Sequence, residues 1–154
     1  MQVGVRCSVA VHCLIFITGH ELEERGKVTS SMLAESTGCN PAMVRSVLSA
    51  LAKAGIIETR RGVGGSVLAR KPTEVTLLDI FNAVDPTGLD HLIGVQDCDG
   101  LSCPVARNIR ATLAEPYARI IAAVRDTMAS ITLADLLDEF TRVSGAGGSA
   151  PSHS

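Results

Sequence analysis

The chain has 154 residues, of which 46% are hydrophobic and 19% charged, and its formal net charge is -2 at pH 7. This composition predicts a soluble, globular protein with one sizeable core, and the weak net charge gives no overall attraction to phosphate. The sequence has no run of about 18 apolar residues and no signal-peptide cleavage pattern, so we expect a cytoplasmic protein without a membrane span. Five cysteines, an odd number, favour reduced thiols over a disulfide framework.

Two helices are predicted near the N-terminus. The first runs from about Val3 to Thr18, because apolar residues recur along a single stripe of the helix. That stripe consists of Val5, Val9, Cys13 and Phe16. The second helix begins after Thr29, a candidate N-cap, and ends at Thr37, since Gly38 favours the left-handed conformation needed just past a helix end.

The clearest helix start in the sequence is Asn40 followed by Pro41, a cap residue and then a proline at the first helical position. The helix that follows ends at Gly55 and has two distinct faces. Its apolar face consists of Val44, Val47, Leu48 and Leu51. Its small, polar and positive face consists of Ala42, Arg45, Ser46, Ser49 and Lys53. This second face is free to approach another surface closely.

A short hairpin is predicted after this helix. Residues 56–60 and 66–69 form two strands in this interpretation, joined by a glycine-rich turn that has Arg60 and Arg61 on its approach. From residue 42 to residue 71 the only acidic residue is Glu58, while six residues are basic. The glycines match no phosphate-binding loop pattern, so we interpret them as a plain turn in a hairpin with a basic edge.

Two capping boxes predict shorter helices in the second half of the chain. Thr76 and Asp79 form the first, which opens a helix that ends before Pro86. Residues 85–102 then form an irregular loop in this interpretation. Thr132 and Asp135 form the second capping box, which opens a last short helix.

A long helix is predicted between these two, from Pro104 to about Ala129, with a kink at Pro116. Its apolar stripe consists of Val105, Ile109, Leu113, Ile120, Val124 and Ile131. Because this stripe would face water in a monomer, we expect it to pack against a second copy of the chain.

The order of these elements is that of a winged-helix DNA-binding domain, in which a two-stranded wing follows a helix-turn-helix. We therefore predict a mainly α-helical fold with a small β-hairpin, made of a winged helix-turn-helix domain and a long C-terminal dimerisation helix. The predicted units are a DNA-binding domain at 1–84, a sensor-like loop at 85–103 and dimerisation helices at 104–141. A Gly- and Ser-rich tail at 142–154 has little to bury and is expected to be disordered.

In such domains the second helix of the pair enters the major groove, while the wing meets phosphates or the minor groove. Arg45 is placed to reach a guanine edge, and Ser46 and Ser49 are placed to bond bases or phosphates. Lys53 suits a contact with the DNA backbone. The plainer alternative is that these residues are only the solvated face of an amphipathic helix, and the adjoining basic wing favours DNA binding over it.

Three short motifs carry a resemblance to a known family: AGII leaving the third helix, RGVGG at residues 61–65 and LLDI at residues 77–80. They lie in the run AMVRSVLSALAKAGIIETRRGVGGSVLARKP and in the TLLDIFNAVD that follows it. Together they resemble the Rrf-two family of bacterial winged-helix transcriptional regulators, which includes the iron-sulfur cluster regulator and the cysteine-metabolism regulator. The resemblance covers residues 1 to about 141.

The resemblance implies a homodimer that is paired through the long helix and binds double-stranded, pseudo-palindromic operator DNA with one winged helix per half-site. It also implies which positions contact DNA. These are Ala42, Met43, Arg45 and Ser46 on the recognition helix, and Arg60 and Arg61 on the wing.

Sensor members of this family hold an iron-sulfur cluster with three cysteines in the loop before the dimer helix. In this sequence Cys98 and Cys103 lie there without a third cysteine, and a [2Fe-2S] cluster needs four ligands. His91, Asp97 and Asp99 are the nearby residues that would have to complete the set. Zinc held by His91, Cys98, Cys103 and a carboxylate is another alternative, although the usual C-x2-C spacing is absent. We expect no cofactor, with the cluster as the alternative.

The local chemistry favours a thiol switch. Cys103 precedes Pro104 at the start of the long helix, where free N–H groups and the helix dipole stabilise a thiolate. Cys103 would attack and Cys98 would resolve, because Gly100 lets the loop fold back to the separation that a disulfide needs. The plainer alternative is that Cys103 is only a small capping residue.

The sequence carries no signature that unites a cysteine, a histidine and an orienting acid, so we do not expect an enzyme. The hypothesis is a homodimeric, sequence-specific transcriptional regulator that acts as a repressor, by analogy with the family, and responds to redox state through Cys98 and Cys103. The alternatives are a regulator that senses through an iron-sulfur cluster, and a winged-helix interaction module without DNA binding.

Overall fold

The structure is a computed structural model that describes residues 4–60 and 65–146. Three sequence-based expectations fall outside these ranges: the role of Arg61, the glycine-rich turn at 62–64 and the part of the predicted 142–154 tail beyond residue 146. Residues 142–146 of that predicted tail are helical and continue the last helix, so the prediction of disorder is wrong there. The described residues form six α-helices and one two-stranded antiparallel sheet. This mainly helical architecture with a small hairpin confirms the predicted fold class.

The helices and strands follow one another in the predicted order. Their bounds are α1 Val5–Leu22, α2 Ser30–Thr37, α3 Pro41–Lys53, β1 Ile57–Arg60, β2 Gly65–Leu68, α4 Leu77–Val84, α5 Pro104–Ser130 and α6 Leu133–Ala146. Short 3-10 turns occupy Pro72–Glu74 and Leu89–His91. In the hairpin, Ile57 pairs with Leu68 and Arg60 pairs with Gly65.

The predicted helix starts are confirmed by hydrogen bonds at their caps. The Asn40 side chain accepts from the Ala42 N–H at 2.7 Å, and the Thr29 hydroxyl accepts from the Met32 N–H at 3.3 Å. The capping box that opens α4 is present in both directions, at 3.0 and 3.1 Å, and the box that opens α6 is present at 2.8 and 3.1 Å. Local sequence therefore suffices to fix where these helices begin.

The first helix differs from its prediction at its C-terminal end and in its buried side. It continues one turn past Thr18 to Leu22, because Gly19 does not break it and His20 bonds back to the Phe16 carbonyl at 3.1 Å. The assumed stripe was also wrong at Val5, which is 57% exposed. The buried side of α1 instead consists of Val9, Ala10, Cys13, Leu14 and Ile17.

The hairpin begins one residue later than predicted. The Ile56 N–H donates to the Leu51 carbonyl at 3.0 Å, so Ile56 closes the end of α3 before the first strand starts. Its own carbonyl accepts from the Ala69 N–H at 3.0 Å. This arrangement joins the recognition helix and the wing into one continuous hydrogen-bonded unit.

Helix α1 is the one described helix whose length and composition alone would allow it to cross a membrane, with a mean hydropathy of 1.2 over 18 residues. In this fold it packs as a core helix against α3 and α4. Ala10, Cys13, Leu14 and Ile17 are fully buried among side chains of those helices. Core helices of soluble proteins can have the same length and hydropathy as a membrane-spanning helix. Packing against α3 and α4 accounts for the apolar residues on the buried side of α1.

The C-terminal helices return to the winged-helix domain through a short backbone pairing. The Leu133 N–H donates to the Val75 carbonyl at 2.7 Å, and the Leu77 N–H donates to the Ile131 carbonyl at 2.8 Å. Leu133 is fully buried in the same core as α1 and α3. The helix before it, α5, is continuous through Pro116 and contains no buried residue among its 27.

Candidate nucleic-acid interface

The recognition helix α3 separates an apolar side from a polar side as predicted. Val44, Val47 and Leu51 are fully buried, while Leu48 is half-buried. The predicted contact residues Ala42, Arg45, Ser46, Ser49 and Lys53 are all exposed. Met43 is half-buried and packs against the core, so it is the least accessible of the predicted set.

The charged residues on the exposed face of α3 are both positive. The helix carries Arg45 and Lys53 and no acidic residue, and its first turn begins with the cap of Asn40. The free N–H groups of that first turn add partial positive charge at the same end of the helix. A helix with these features suits contact with a polyanion.

The wing is held beside the helix-turn-helix by its second strand. Gly65 has φ 88°, and a Cβ built on it would lie 2.6 Å from the Val28 carbonyl oxygen, so only glycine fits there. The neighbouring Ser66 N–H donates to the same carbonyl at 3.1 Å. On the first strand, Arg60 lies 3.5 Å from Glu58 in an exposed pair, which leaves its guanidinium accessible to phosphate.

One residue that contacts this face, Arg6, is not in the set predicted from the sequence. From α1 its Nε donates to the Val84 carbonyl at 2.8 Å, and its Nη2 donates to the Ser46 hydroxyl at 3.1 Å. A weaker contact of 3.8 Å joins Nη1 to the Met43 sulfur. The one indication in the sequence is that Arg6 is a lone arginine in an apolar helix. This indicates a special environment for the side chain but does not predict which residues it bonds.

A groove of about 750 Å³ runs beside this arginine, between α3 and the end of α4. Its basic lining residues are Arg6 and Lys53, and Asp85 lies at its edge. Hydrogen bonds from Thr87, with a smaller contribution from the charge of Arg6, hold the pKa of Asp85 below its ordinary value. The positive surface of α3 is thus continued on one side by Arg6.

The loop before α5 carries the two predicted redox cysteines. The Leu101 N–H donates to the Cys98 carbonyl at 3.3 Å with Gly100 at φ 79°, the geometry of a type II turn that reverses the chain. Cys98 is half-buried, whereas Cys103 is exposed at the N-terminus of α5. The nearby backbone N–H groups of Ala106 and Val105 hold the pKa of the Cys103 thiol below its ordinary value.

The donor set of this loop does not fit a cluster or a zinc ion in the described conformation. Within residues 4–60 and 65–146, no three His, Cys, Asp or Glu side chains lie close enough to share a metal ion. The candidate set of His91, Cys98 and Cys103 is therefore not brought together, because His91 is exposed on a separate 3-10 turn. A [2Fe-2S] cluster needs four such ligands.

The other three cysteines lie in or against the core. Burial raises the pKa of the Cys13 thiol to about 11, and burial followed by the nearby Asp85 carboxylate raises that of Cys7. Cys39 is half-buried and packs against the core between α2 and α3. The raised pKa values of Cys7 and Cys13 make those thiols slow to react. Cys103 is the exposed cysteine and the one whose thiol pKa is lowered, so it is the best suited to react.

Comparison with known proteins agrees with this geometry. Residues 4–139 match the Rrf2 family model, described as "Iron-dependent Transcriptional regulator". The "Putative HTH-type transcriptional regulator YwnA" of Bacillus subtilis (strain 168) is 32% identical over 137 residues, which span 89% of this chain and 98% of that protein.

Two solved structures show the same fold. One, described as "a putative DNA binding protein", is 31% identical with a TM-score of 0.68, covering 86% of this chain and 98% of its own. The other is CymR (YrzC), the global cysteine regulator of B. subtilis, at 22% identity and a TM-score of 0.65, covering 90% and 97%. The fold, the family model and the identity to YwnA together show that the chain belongs to the Rrf-two (Rrf2) family of transcriptional regulators.

Proposed function

We propose that this protein is a homodimeric, sequence-specific DNA-binding regulator that represses transcription by occupying operator DNA. The observation that carries the proposal is the exposed face of α3, which bears Arg45 and Lys53 with no acidic residue, next to a wing that carries Arg60. Helix α3 enters the major groove in this proposal, and the wing binds the flanking phosphates. Arg45 reads a guanine edge through its two-pronged guanidinium.

The dimer is supported by the state of α5. This helix has no fully buried residue, and two residues of its predicted apolar stripe, Val105 and Ile120, are 70% and 45% exposed. The rest of that stripe does not face water as predicted, since it is half-buried within this chain: Ile109, Leu113, Val124 and Ile131. At 1.5 Å per residue, its 27 residues span about 40 Å, which is enough for a long helix-to-helix interface. In such a dimer each copy of α3 would face one half-site, and the centres of two half-sites are typically about 34 Å apart.

Selection from a pool of duplexes with a randomised central segment tests the proposal, followed by affinity measurements at two salt concentrations. We expect the protein to enrich a pseudo-palindromic motif. Arg45→Ala should relax the base preference at one position of each half-site, while the matched control Arg119→Ala on α5 should keep it. Failure of the wild-type protein to enrich any motif would overturn the proposal and favour an interaction module without DNA binding.

A redox response through Cys98 and Cys103 is the finer part of the proposal, and the lowered pKa of the exposed Cys103 supports it. A peroxide would oxidise the Cys103 thiolate to a sulfenic acid, releasing water or alcohol. The Cys98 thiol would then condense with it, releasing water and forming a disulfide. Thiol titration after peroxide treatment should show that both cysteines lose reactivity together, and independent loss would contradict the switch.

Regulation through a [2Fe-2S] cluster is the competing proposal, because the family model is described as iron-dependent. The described residues do not assemble four ligands, so we favour the thiol pair. An absorption spectrum with iron and sulfide analysis of anaerobically purified protein separates the two. Stoichiometric iron and sulfide would favour the cluster, and colourless, iron-free protein would favour the thiols.

A further inference from the structure

Arg6 joins three helices at the edge of the exposed face of α3. Its guanidinium donates to the Val84 carbonyl at the end of α4 and to the Ser46 hydroxyl on α3, and it contacts the Met43 sulfur one turn earlier. Val84 is buried and Ser46 is exposed, so one side chain connects the core to the surface that faces DNA in the proposed function. An arginine suits this position because its donors point in fixed directions.

The bond to Arg6 determines which hydrogen-bonding role is left to Ser46. A guanidinium only donates, so the Ser46 oxygen must accept from Arg6 with one of its two lone pairs. Its own hydrogen remains available, and the positive charge of Arg6 disfavours the approach of a second donor to the other lone pair. Several hydroxyls in the helices donate back to the carbonyl four residues earlier: Thr18, Thr37, Thr112, Thr127 and Thr141. Ser46 makes no such bond, and among the described residues Arg6 is the only hydrogen-bond partner of its side chain.

We infer that Arg6 is a positioning residue for sequence reading, which holds the Ser46 hydroxyl as a hydrogen-bond donor toward the major groove. This inference rests on the proposed function, since it assumes that α3 enters that groove. Ser46 then selects a base edge that presents an acceptor at its position: a purine N7, a guanine O6 or a thymine O4. Without Arg6 the hydroxyl is free to donate or to accept, and the amino groups of adenine and cytosine become equally good partners.

A purely structural role for Arg6 is the alternative, since its bond to Val84 also ties α1 to α4. The two roles differ in what they change. If Arg6 only stabilises the packing of α1 on α4, its loss weakens binding to all DNA sequences alike. If Arg6 positions Ser46, its loss changes the base preference at one position and leaves the preferences at the other positions unchanged. The base preference is therefore the decisive measurement.

The test uses the full-length protein and a pool of duplexes with 30 randomised base pairs as the probe. Motifs are selected with the wild type, Arg6→Lys, Ser46→Ala and the double variant. Lysine keeps the positive charge but has one nitrogen in place of the three of arginine. It therefore cannot make the bonds to Val84 and Ser46 and the contact with Met43 at the same time. The matched control is Arg119→Lys on α5, where the arginine is exposed and lies in a different part of the fold.

At the base position that Ser46 contacts, we expect the wild type to prefer bases that present an acceptor by about five-fold. This ratio corresponds to the net free energy of one hydrogen bond. This preference should fall below about two-fold in Ser46→Ala, in Arg6→Lys and in the double variant, with no further loss when the two changes are combined. Arg119→Lys should keep the wild-type motif. This pattern would support the inference.

Three outcomes would overturn the inference while leaving the proposed function standing. The first is an unchanged motif in Ser46→Ala, and the second is a change in Arg6→Lys at a different position from Ser46→Ala. The third is that neither Arg6→Lys nor Arg6→Gln folds, as judged by thermal melting, which would assign Arg6 to stability alone. If the wild type enriches no motif, the proposed function fails and the inference fails with it.

Discussion

Two cysteines of this protein have opposite thiol chemistry because the fold places one at a helix N-terminus and the other in the core. Cys103 is fully exposed, yet the N–H groups of the first turn of α5 lower the pKa of its thiol. Cys13 has the opposite environment, since burial in the core raises its thiol pKa to about 11. The same chain therefore contains a thiol prepared to ionise and a thiol kept protonated.

We predict that alkylation by iodoacetamide distinguishes these two cysteines. The thiolate is the reactive form, and its fraction rises as the pH passes the pKa, so the reaction at Cys103 should reach half its maximal rate below pH 9.0, the unperturbed thiol pKa. Cys13 should stay unmodified in the folded protein over the same pH range. Mass spectrometry of digested protein at several pH values measures both rates.

A peptide covering residues 99–107 is the reference for this measurement, since it has the same sequence without the folded helix. Cys103 in the protein should titrate at a lower pH than in the peptide. Identical pH profiles would show that the helix N-terminus does not stabilise the thiolate.

The elements of the fold depend on glycine in two opposite ways. Gly65 starts β2 at φ 88° against the Val28 carbonyl, where there is no room for a side chain. Gly19 lies inside α1, and a Cβ built on it meets no atom within 4 Å. Glycine is therefore required in the wing and unfavourable in the helix, where it adds backbone entropy to the unfolded state.

Substitution by alanine should change stability in opposite directions at these two sites. Gly65→Ala should lower the free energy of unfolding by about 1–3 kcal/mol, because of backbone strain and the lost bond between Ser66 and Val28. Gly19→Ala should raise it by roughly 0.5–1 kcal/mol. Urea unfolding of both variants measures the changes, and a stabilising effect of Gly65→Ala would contradict the geometry at the wing.

The elements also show how far the sequence predicts this fold. Helix starts were predictable at Asn40, Thr76 and Thr132, because caps depend on neighbours within four residues. The end of α1 was not, since Gly19 and the polar residues after it resemble a loop and only packing decides between the two. A helix start can be predicted because it depends on a few neighbouring residues. The end of α1 cannot, because local residues that favour a loop compete with packing that favours a helix.

The candidate site shows the same division. The exposed face of α3 follows from helical periodicity, and the Cys103 environment follows from the proline after it. The contacts of Arg6 with Ser46 and Val84 span 40 and 78 positions, so only the tertiary structure shows them. For the same reason sequence alone did not show that His91 stays apart from Cys98 and Cys103.

At the scale of the whole molecule, α5 is the element that a single chain leaves least covered. Its exposed apolar residues, Val105 and Ile120, are the features that a second copy would bury. Its other contacts are with α4 and with the turn Leu89–His91, where Arg125 lies 3.2 Å from Asp90. In the proposed dimer, the interface is the side of α5 that points away from its own domain.

We predict that Ile120→Glu converts the protein to a monomer, because a charge on this stripe would have to be buried without a partner. Light scattering coupled to size-exclusion chromatography measures the mass. Affinity for a two-half-site duplex should fall at least ten-fold, since each winged helix would then bind alone. Arg119→Glu, one residue away, is the control and should remain dimeric; an unchanged mass of Ile120→Glu would contradict the assigned interface.

The backbone pairing of Val75 with Leu133 has a further consequence for the lifetime of the protein. Leu133 fills part of the winged-helix core, so fraying of α5 and α6 would also open the domain that holds α3. A protomer without a partner would then present exposed apolar surface and unpaired backbone to proteases, whereas a paired protomer would not. We expect degradation to remove unassembled chains first, so that the amount of regulator in the cell follows the amount of assembled dimer.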